Sequence, residues 1–282
     1  MIQFVERLFQ EYTQLFSVER ILYRERTEHQ DLVIFENRIF GRVLALDGVI
    51  QTTERDNHVY HEMIAHVPIL AHGSVREVLI IGGGDGGTLR EVVKHDIARA
   101  TMVEIDPGVI ELSRKYLPGL SDGAFDHARA DVVIADGCAY VRETDRRFDV
   151  IIVDSTDPVG PGAVLFTDEF YGACKRCLTD GGVLVTQSGV VLMQPDEVVT
   201  THRRLGALFA DASFFQAPVP TYIGGPMTCG WASDDASLRR LPEAELAARY
   251  QRAGLHTRHY SPAIHLASFA LPPELHELLA RS

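Results

Sequence analysis

The chain is short of cysteine and of positive charge. It has 4 cysteines in 282 residues. The one close pair, Cys174 and Cys177, has no second pair to complete a zinc site. So few thiols exclude a disulfide-stapled fold and fit a reducing, cytoplasmic setting. Lys and Arg total 27 against 39 Asp and Glu, a net charge of −12. That argues against a nucleic-acid or anionic-membrane surface and suits cationic substrates. Long apolar runs are missing too: no stretch approaches the roughly 20 residues of a membrane span. The start, Met1-Ile2-Gln3-Phe4-Val5-Glu6-Arg7, lacks the basic and apolar regions of a signal peptide. There is no Walker loop and no G-x-S-x-G elbow. His61-Glu62-Met63-Ile64-Ala65-His66 does not set its histidines one helical turn apart, so no metal site is expected. Cys138 has no basic sequence neighbour to activate it as a nucleophile. What remains is an ordinary globular composition, 46% hydrophobic, long enough for two domains or one with an extension.

Residues 1–60 read as a β-rich unit after a short helical start. Segments 31–36 and 38–46 are strand-like, and Asp47-Gly48 before Val49-Ile50-Gln51-Thr52 is a hairpin signal. Residues 58–72 read as a helix leading into a second unit, 61–282. Apolar strands are expected at 75–81, 100–105, 128–134, 148–153 and 182–186, with helices near 107–116, 137–144, 167–177 and 195–210. Alternation of near-continuous apolar strands with helices predicts an α/β fold around a parallel-rich sheet. Two further strand-like runs, 213–219 and 227–233, lie in the tail.

The first of these strands runs into Gly82-Gly83-Gly84-Asp85-Gly86-Gly87, a nucleotide-loop layout. Such loops hold phosphate with backbone N–H groups at a helix start. Asp85 inside the loop repels phosphate and favours a cationic nucleoside. Acids follow the other strands as well: Glu104-Ile105-Asp106, Asp136-Gly137, and Asp154-Ser155-Thr156-Asp157. No lysine or arginine accompanies them in these motifs. Glu104 lies 22 residues past Gly82, near the spacing of a ribose-binding acid. Asp136 can accept from an adenine amino group, and Asp154 with Asp157 can meet an amine. An aspartate after a strand is also an ordinary helix cap, and Tyr60 and Tyr222 are core aromatics by default. Four acids at one sheet edge, beside a glycine loop, point beyond caps to a ligand. The loop and Glu104 alone also fit a methyltransferase using intact S-adenosylmethionine. A non-catalytic polyamine or nucleoside binder is a further reading, as is an NAD dehydrogenase, which Asp85 disfavours.

Taken together, Leu46-Asp47-Gly48-Val49-Ile50-Gln51-Thr52-Thr53-Glu54-Arg55-Asp56, Tyr60-His61-Glu62-Met63, the glycine loop, Val103-Glu104-Ile105-Asp106, Asp154-Ser155-Thr156-Asp157-Pro158-Val159-Gly160-Pro161 and Pro220-Thr221-Tyr222 resemble the polyamine aminopropyltransferases, bacterial spermidine synthases most closely. The resemblance spans nearly the whole chain. It implies a small N-terminal β domain and a Rossmann-like, class I methyltransferase-type catalytic domain, in a homodimer or homotetramer. It implies transfer of the aminopropyl group of decarboxylated S-adenosylmethionine, a co-substrate, to putrescine, with no metal or other cofactor. Cadaverine, agmatine and spermidine are alternative acceptors. By position, Asp154 resembles the proton acceptor, assisted by Tyr60. Gln30, Asp85, Glu104, Asp136, Gly137 and Pro161 resemble donor contacts; His61, Asp154, Asp157 and Tyr222 resemble acceptor contacts. The segment after Tyr222 departs from the family pattern at Pro226, which leaves acceptor choice open.

Overall fold

The tight turn at Asp47 and Gly48 organises the N-terminal unit. Both residues have positive φ, 49° and 82°, as a two-residue hairpin connection needs. The turn joins β5 (Gly41–Leu46) to β6 (Val49–Thr53), and with β3 (Arg20–Arg26) and β4 (Asp31–Asn37) they form an antiparallel sheet ordered β3-β4-β5-β6. Before it, β1 (Ile2–Val5) pairs antiparallel with β2 (Leu15–Val18). The expected helical start is therefore a strand. Phe4 stacks on Phe35 of β4 at 5.0 Å, and this long-range contact decides the segment's conformation over any local preference. The computed structural model describes residues 2–157 and 160–280, with only the backbone of Gly160 and Pro161.

The second unit opens with α1 (Asn57–His72), almost wholly buried, followed by β7 (Glu77–Gly82), α2 (Gly87–Val93) and β8 (Arg99–Glu104). Then come α3 (Pro107–Tyr116), the short α4 (Pro118–Ser121), β9 (Ala130–Ile134), α5 (Gly137–Glu143), β10 (Phe148–Asp154), α6 (Asp168–Cys177) and β11 (Leu178–Val190). The chain continues through α7 (Pro195–Leu208), β12 (Asp211–Ala217) and β13 (Met227–Ser233) to α8 (Glu243–Arg252), α9 (Pro262–Ser268) and α10 (Pro273–Leu279). The seven strands are ordered β12-β13-β11-β10-β7-β8-β9. β7 to β11 run parallel, as the apolar strand runs require, and the two tail strands add antiparallel at one edge. Val78, Leu79, Ile80 and all of Val150, Ile151, Ile152 and Val153 are fully buried, because helices cover both faces.

From β7 the chain winds outward through β8 and β9, then returns to β10 on the other side of β7. The carboxyl ends of β7 and β10 thus border a topological switch point, where adjacent crossovers leave in opposite directions and open a crevice.

Candidate active site

Backbone contact between β7 and β10 builds the centre of that crevice. Gly82 has φ +83°, and a Cβ there would fall 2.1 Å from the Asp154 carbonyl oxygen. The Gly83 N–H donates to the same oxygen at 2.8 Å. The glycines thus let the loop close against the strand that ends in Asp154. The Asp154 carboxylate is itself held from two sides. Tyr60 of α1 donates to Oδ1 at 2.9 Å, and Thr88 of α2 donates to Oδ2 at 2.6 Å. Burial raises the Asp154 pKa above the ordinary aspartate value, with Asp85 adding to the rise and His61, Thr88 and Tyr60 opposing it. Burial and the charge of Asp154 hold the Tyr60 hydroxyl protonated well above its usual range. Tyr60 is accordingly a hydrogen-bond donor here, and the carboxylate is the group able to take a proton.

The loop acid has a partner that its motif does not reveal. His61 Nε2 lies 3.3 Å from Asp85 Oδ2, and the Gly87 N–H donates to Asp85 Oδ1 at 2.7 Å. Burial alone would raise the Asp85 pKa and lower that of His61, but their mutual attraction outweighs it in both directions. A Cβ at position 87 would fall 2.2 Å from the His61 ring, so the glycine opening α2 is what admits the imidazole. His66, five residues further along α1, points elsewhere: it meets Glu91 at 3.0 Å and His95 at 2.9 Å in the buried α1–α2 contact.

Toward β8 and β9 the crevice is lined by Gln30, Glu104, Asp136 and Gly137. Glu104 Oε1 accepts from the Asp106 N–H at 2.9 Å. Burial drives the Glu104 pKa up to about 7, against that backbone bond and with help from the Asp106 charge. Gln30, between β3 and β4, donates to Asp106 Oδ2 at 3.0 Å, so the N-terminal unit is fastened to the second sheet beside the site. Asp136 does cap α5, accepting from Cys138 and Ala139 N–H at 2.7 and 3.0 Å through one oxygen, Oδ1. The cap reading and the ligand reading therefore coexist on one carboxylate. Gly137 is packed so closely on Ile81 that a Cβ would fall 2.4 Å from its methyl group.

Toward β11 the crevice is bounded by Asp157, Gln187, Gln194 and Tyr222, with Glu6 and Gln51 from the N-terminal unit. The Tyr222 hydroxyl donates to the Gln51 carbonyl at 2.7 Å, and its ring meets Tyr60 edge-on at 6.0 Å. Gln194 donates to Asp157 at 2.8 Å, and burial raises the Asp157 pKa. One cavity of about 340 Å³ includes Tyr60, His61, Asp154, Asp157, Tyr222, Gln30, Asp85, Glu104, Asp136 and Gly137. Pro161, named from the sequence as a donor contact, has its side chain outside the described residues. Sequence reasoning missed Thr88, Glu6, Gln51 and Gln194. Thr88 adjoins the glycine loop and was open to suspicion; the others come from elements whose proximity no spacing announces. Among the described residues no group of three or more His, Cys, Asp or Glu is arranged to hold a metal ion.

An acid-lined cavity at the switch point of a Rossmann-like sheet, with the half-buried Asp154 carboxylate at its middle, is the layout of a ligand-binding α/β protein of the nucleotide-site type. Comparison with known proteins narrows this. The model of the spermine/spermidine synthase domain matches residues 57–241, and that of the spermidine synthase tetramerisation domain matches residues 4–54. The polyamine aminopropyltransferase of Erwinia tasmaniensis is 57% identical over 98% of this chain and 97% of its own. Polyamine aminopropyltransferase 1 of Pseudomonas aeruginosa is 58% identical over 96% of each. A spermidine synthase solved in complex with the transition state analogue AdoDATO superposes with a TM-score of 0.94 at 38% identity, covering all of this chain and 96% of that one. The spermidine synthase of Thermotoga maritima gives 0.91 at 36%, covering 99% and 94%. The chain belongs to the spermine/spermidine synthase family, the polyamine aminopropyltransferases, and is an enzyme of that transferase class.

Proposed function

We propose that this enzyme is a spermidine synthase, moving the aminopropyl group of decarboxylated S-adenosylmethionine to putrescine and releasing 5′-methylthioadenosine. The observation that carries the reading is Asp154, half-buried, held by two hydroxyls, and standing between an acidic nucleoside side and an acidic amine side of one cavity. The reaction suits this layout. A sulfonium is a good leaving group, so the chemical obstacle is the nucleophile: an alkyl amine with a pKa of about 10 is protonated at neutral pH. Asp154 accepts that proton. The freed nitrogen lone pair forms a bond to the methylene carbon beside sulfur, the C–S bond breaks, and its electron pair stays on sulfur as a neutral thioether. Tyr60 and Thr88 fix the direction of the carboxylate, and the remainder is in-line positioning of two bound molecules.

Donor roles follow from the same chemistry. Asp85, already beside His61, takes the donor's free ammonium and repels a donor that keeps its carboxylate. Glu104 accepts from ribose hydroxyls, and Asp136 with Gly137 borders the base. Asp157, His61 and Tyr222 face the acceptor. A division at about residue 60, assembly as a homodimer or homotetramer through the N-terminal unit, and a cytoplasmic setting complete the proposal; the match to a tetramerisation domain supports the assembly. The test is a product assay with decarboxylated S-adenosylmethionine and diamines of three, four and five carbons, agmatine and spermidine. Methylthioadenosine and spermidine should appear fastest with 1,4-diaminobutane. Faster turnover of another acceptor would reassign the substrate, and methyl transfer from intact S-adenosylmethionine would overturn the reaction class.

A further inference from the structure

The amine end of the cavity has a second layer. Gln194 Nε2 donates to two carboxylates at once, Asp157 Oδ1 at 2.8 Å and Glu197 Oε2 at 3.1 Å. The amide cannot turn over freely, because its Oε1 accepts from the Val190 N–H at 2.9 Å. Glu197 is the third residue of α7, where a glutamate ordinarily reaches back to the N–H of the capping residue. Here that N–H is engaged by the Val190 carbonyl at 2.7 Å, and Glu197 meets the Gln194 side chain instead. Glu197 Oε1 is buried with no hydrogen-bond partner. So is Oε1 of Gln187, a residue 4% exposed that lines the cavity.

Beside Glu6, whose oxygens already accept from the Ile50 N–H and the Gln14 amide, two further carboxylates and an unpartnered amide oxygen therefore share this end, and a positive charge is what they lack. The Tyr171 hydroxyl on α6 faces Glu197, while Glu6 and Tyr222 face Asp157. Among the described residues no basic side chain offsets the pair. Two half-buried carboxylates that share one amide donor repel each other, and a cation between them favours ionisation of both. Burial, and then the charge of Asp157, push Glu197 up to about 8.

We propose that Glu197, although outside the cavity lining, is a positioning and specificity-determining residue for the far ammonium of the acceptor: through Gln194 it orients Asp157 and supplies the second carboxylate that this cation needs. The inference rests on the reading of the cavity as an aminopropyltransferase site for a diamine. The free pair holds a proton, and the arriving ammonium displaces it to solvent. Preference for an acceptor with a far ammonium therefore grows as pH rises.

The test compares 1,4-diaminobutane with n-butylamine, which keeps the attacking amine and lacks the far one. Their ratio of kcat/KM cancels the titration of the attacking amine. In the wild type the ratio should rise from neutral pH toward about pH 8.5. In Glu197→Gln it should fall about tenfold and lose its pH dependence, through the diamine KM, with n-butylamine turnover and donor KM unmoved. Glu197→Asp should fall between, and Asp196→Asn, an exposed acid of the same turn, should match the wild type. An unchanged ratio in Glu197→Gln, or equal losses for both acceptors, overturns the role of Glu197 while leaving the proposed reaction intact. Failure of the wild type to release methylthioadenosine with 1,4-diaminobutane refutes the proposed reaction, and this inference with it.

Discussion

Replacing Asp154 with asparagine isolates proton acceptance from every other job of the cavity. Asparagine keeps the shape, and its amide can still meet Tyr60 and Thr88, whose hydroxyls lie 2.9 and 2.6 Å from the carboxylate oxygens and can turn to accept as well as donate. The structural cost should stay near 1 kcal/mol. Chemistry then depends on acceptor that arrives already deprotonated. With an amine pKa of about 10, roughly one molecule in 300 is free base at pH 7.5, so turnover should drop about 10²-fold or more. The residual rate should climb close to tenfold per pH unit until the amine itself titrates. The wild type should show a shallower profile, with an acid limb above the ordinary aspartate range, because burial raises the Asp154 pKa and the protonated carboxyl cannot accept. Single-turnover release of methylthioadenosine measures the step, and calorimetry of donor binding serves as the control. Undiminished turnover in the asparagine variant, or a pH profile parallel to the wild type, would refute the assignment of Asp154 as base.

Three further outcomes follow from the same geometry. Thr88→Val removes a hydroxyl that favours the charged form of Asp154, so the acid limb of kcat/KM should move to higher pH, with a loss of about three- to tenfold near neutrality; an unmoved limb would detach Thr88 from the chemistry. Glu104 has a folded-state pKa of about 7, above its unfolded value, so its contribution to stability is present at low pH and lost as pH rises through 7. Glu104→Gln should therefore raise Tm at pH 8 while weakening donor binding; a lower Tm there would contradict the burial argument. Gly87→Ala drives a methyl group into the His61 ring and should cost about 1–3 kcal/mol in urea unfolding together with donor affinity, whereas Gly119→Ala, with nothing within 4 Å of its would-be Cβ, should spare the donor site.

Much of the second unit was legible because its signals are local. Apolar runs such as Val78-Leu79-Ile80-Ile81 and Val150-Ile151-Ile152-Val153 can be buried on both sides only as interior strands, and an acid directly after each strand must emerge at the sheet's carboxyl edge. The hairpin at Asp47-Gly48 was readable for the same reason, since its backbone conformation is demanded by two adjacent residues. The first strand was not readable. Four residues carry too little periodicity, and Ile2–Val5 extends because it finds Leu15–Val18 and Phe35.

The chemical character of the site, a glycine loop with an acid inside it and a row of acids at one sheet edge, was determined by the sequence alone, since it depends on which residue follows which strand. Tertiary structure decided which acids act together. Strand order, not residue spacing, set β10 beside β7 and brought Asp154 between Tyr60 and Thr88, 94 and 66 positions away. It also gave Asp85 its histidine partner and joined Asp157 to Glu197 through Gln194. Protonation states follow from burial and from neighbours within a few ångströms, and both are properties of the folded chain that no linear spacing encodes.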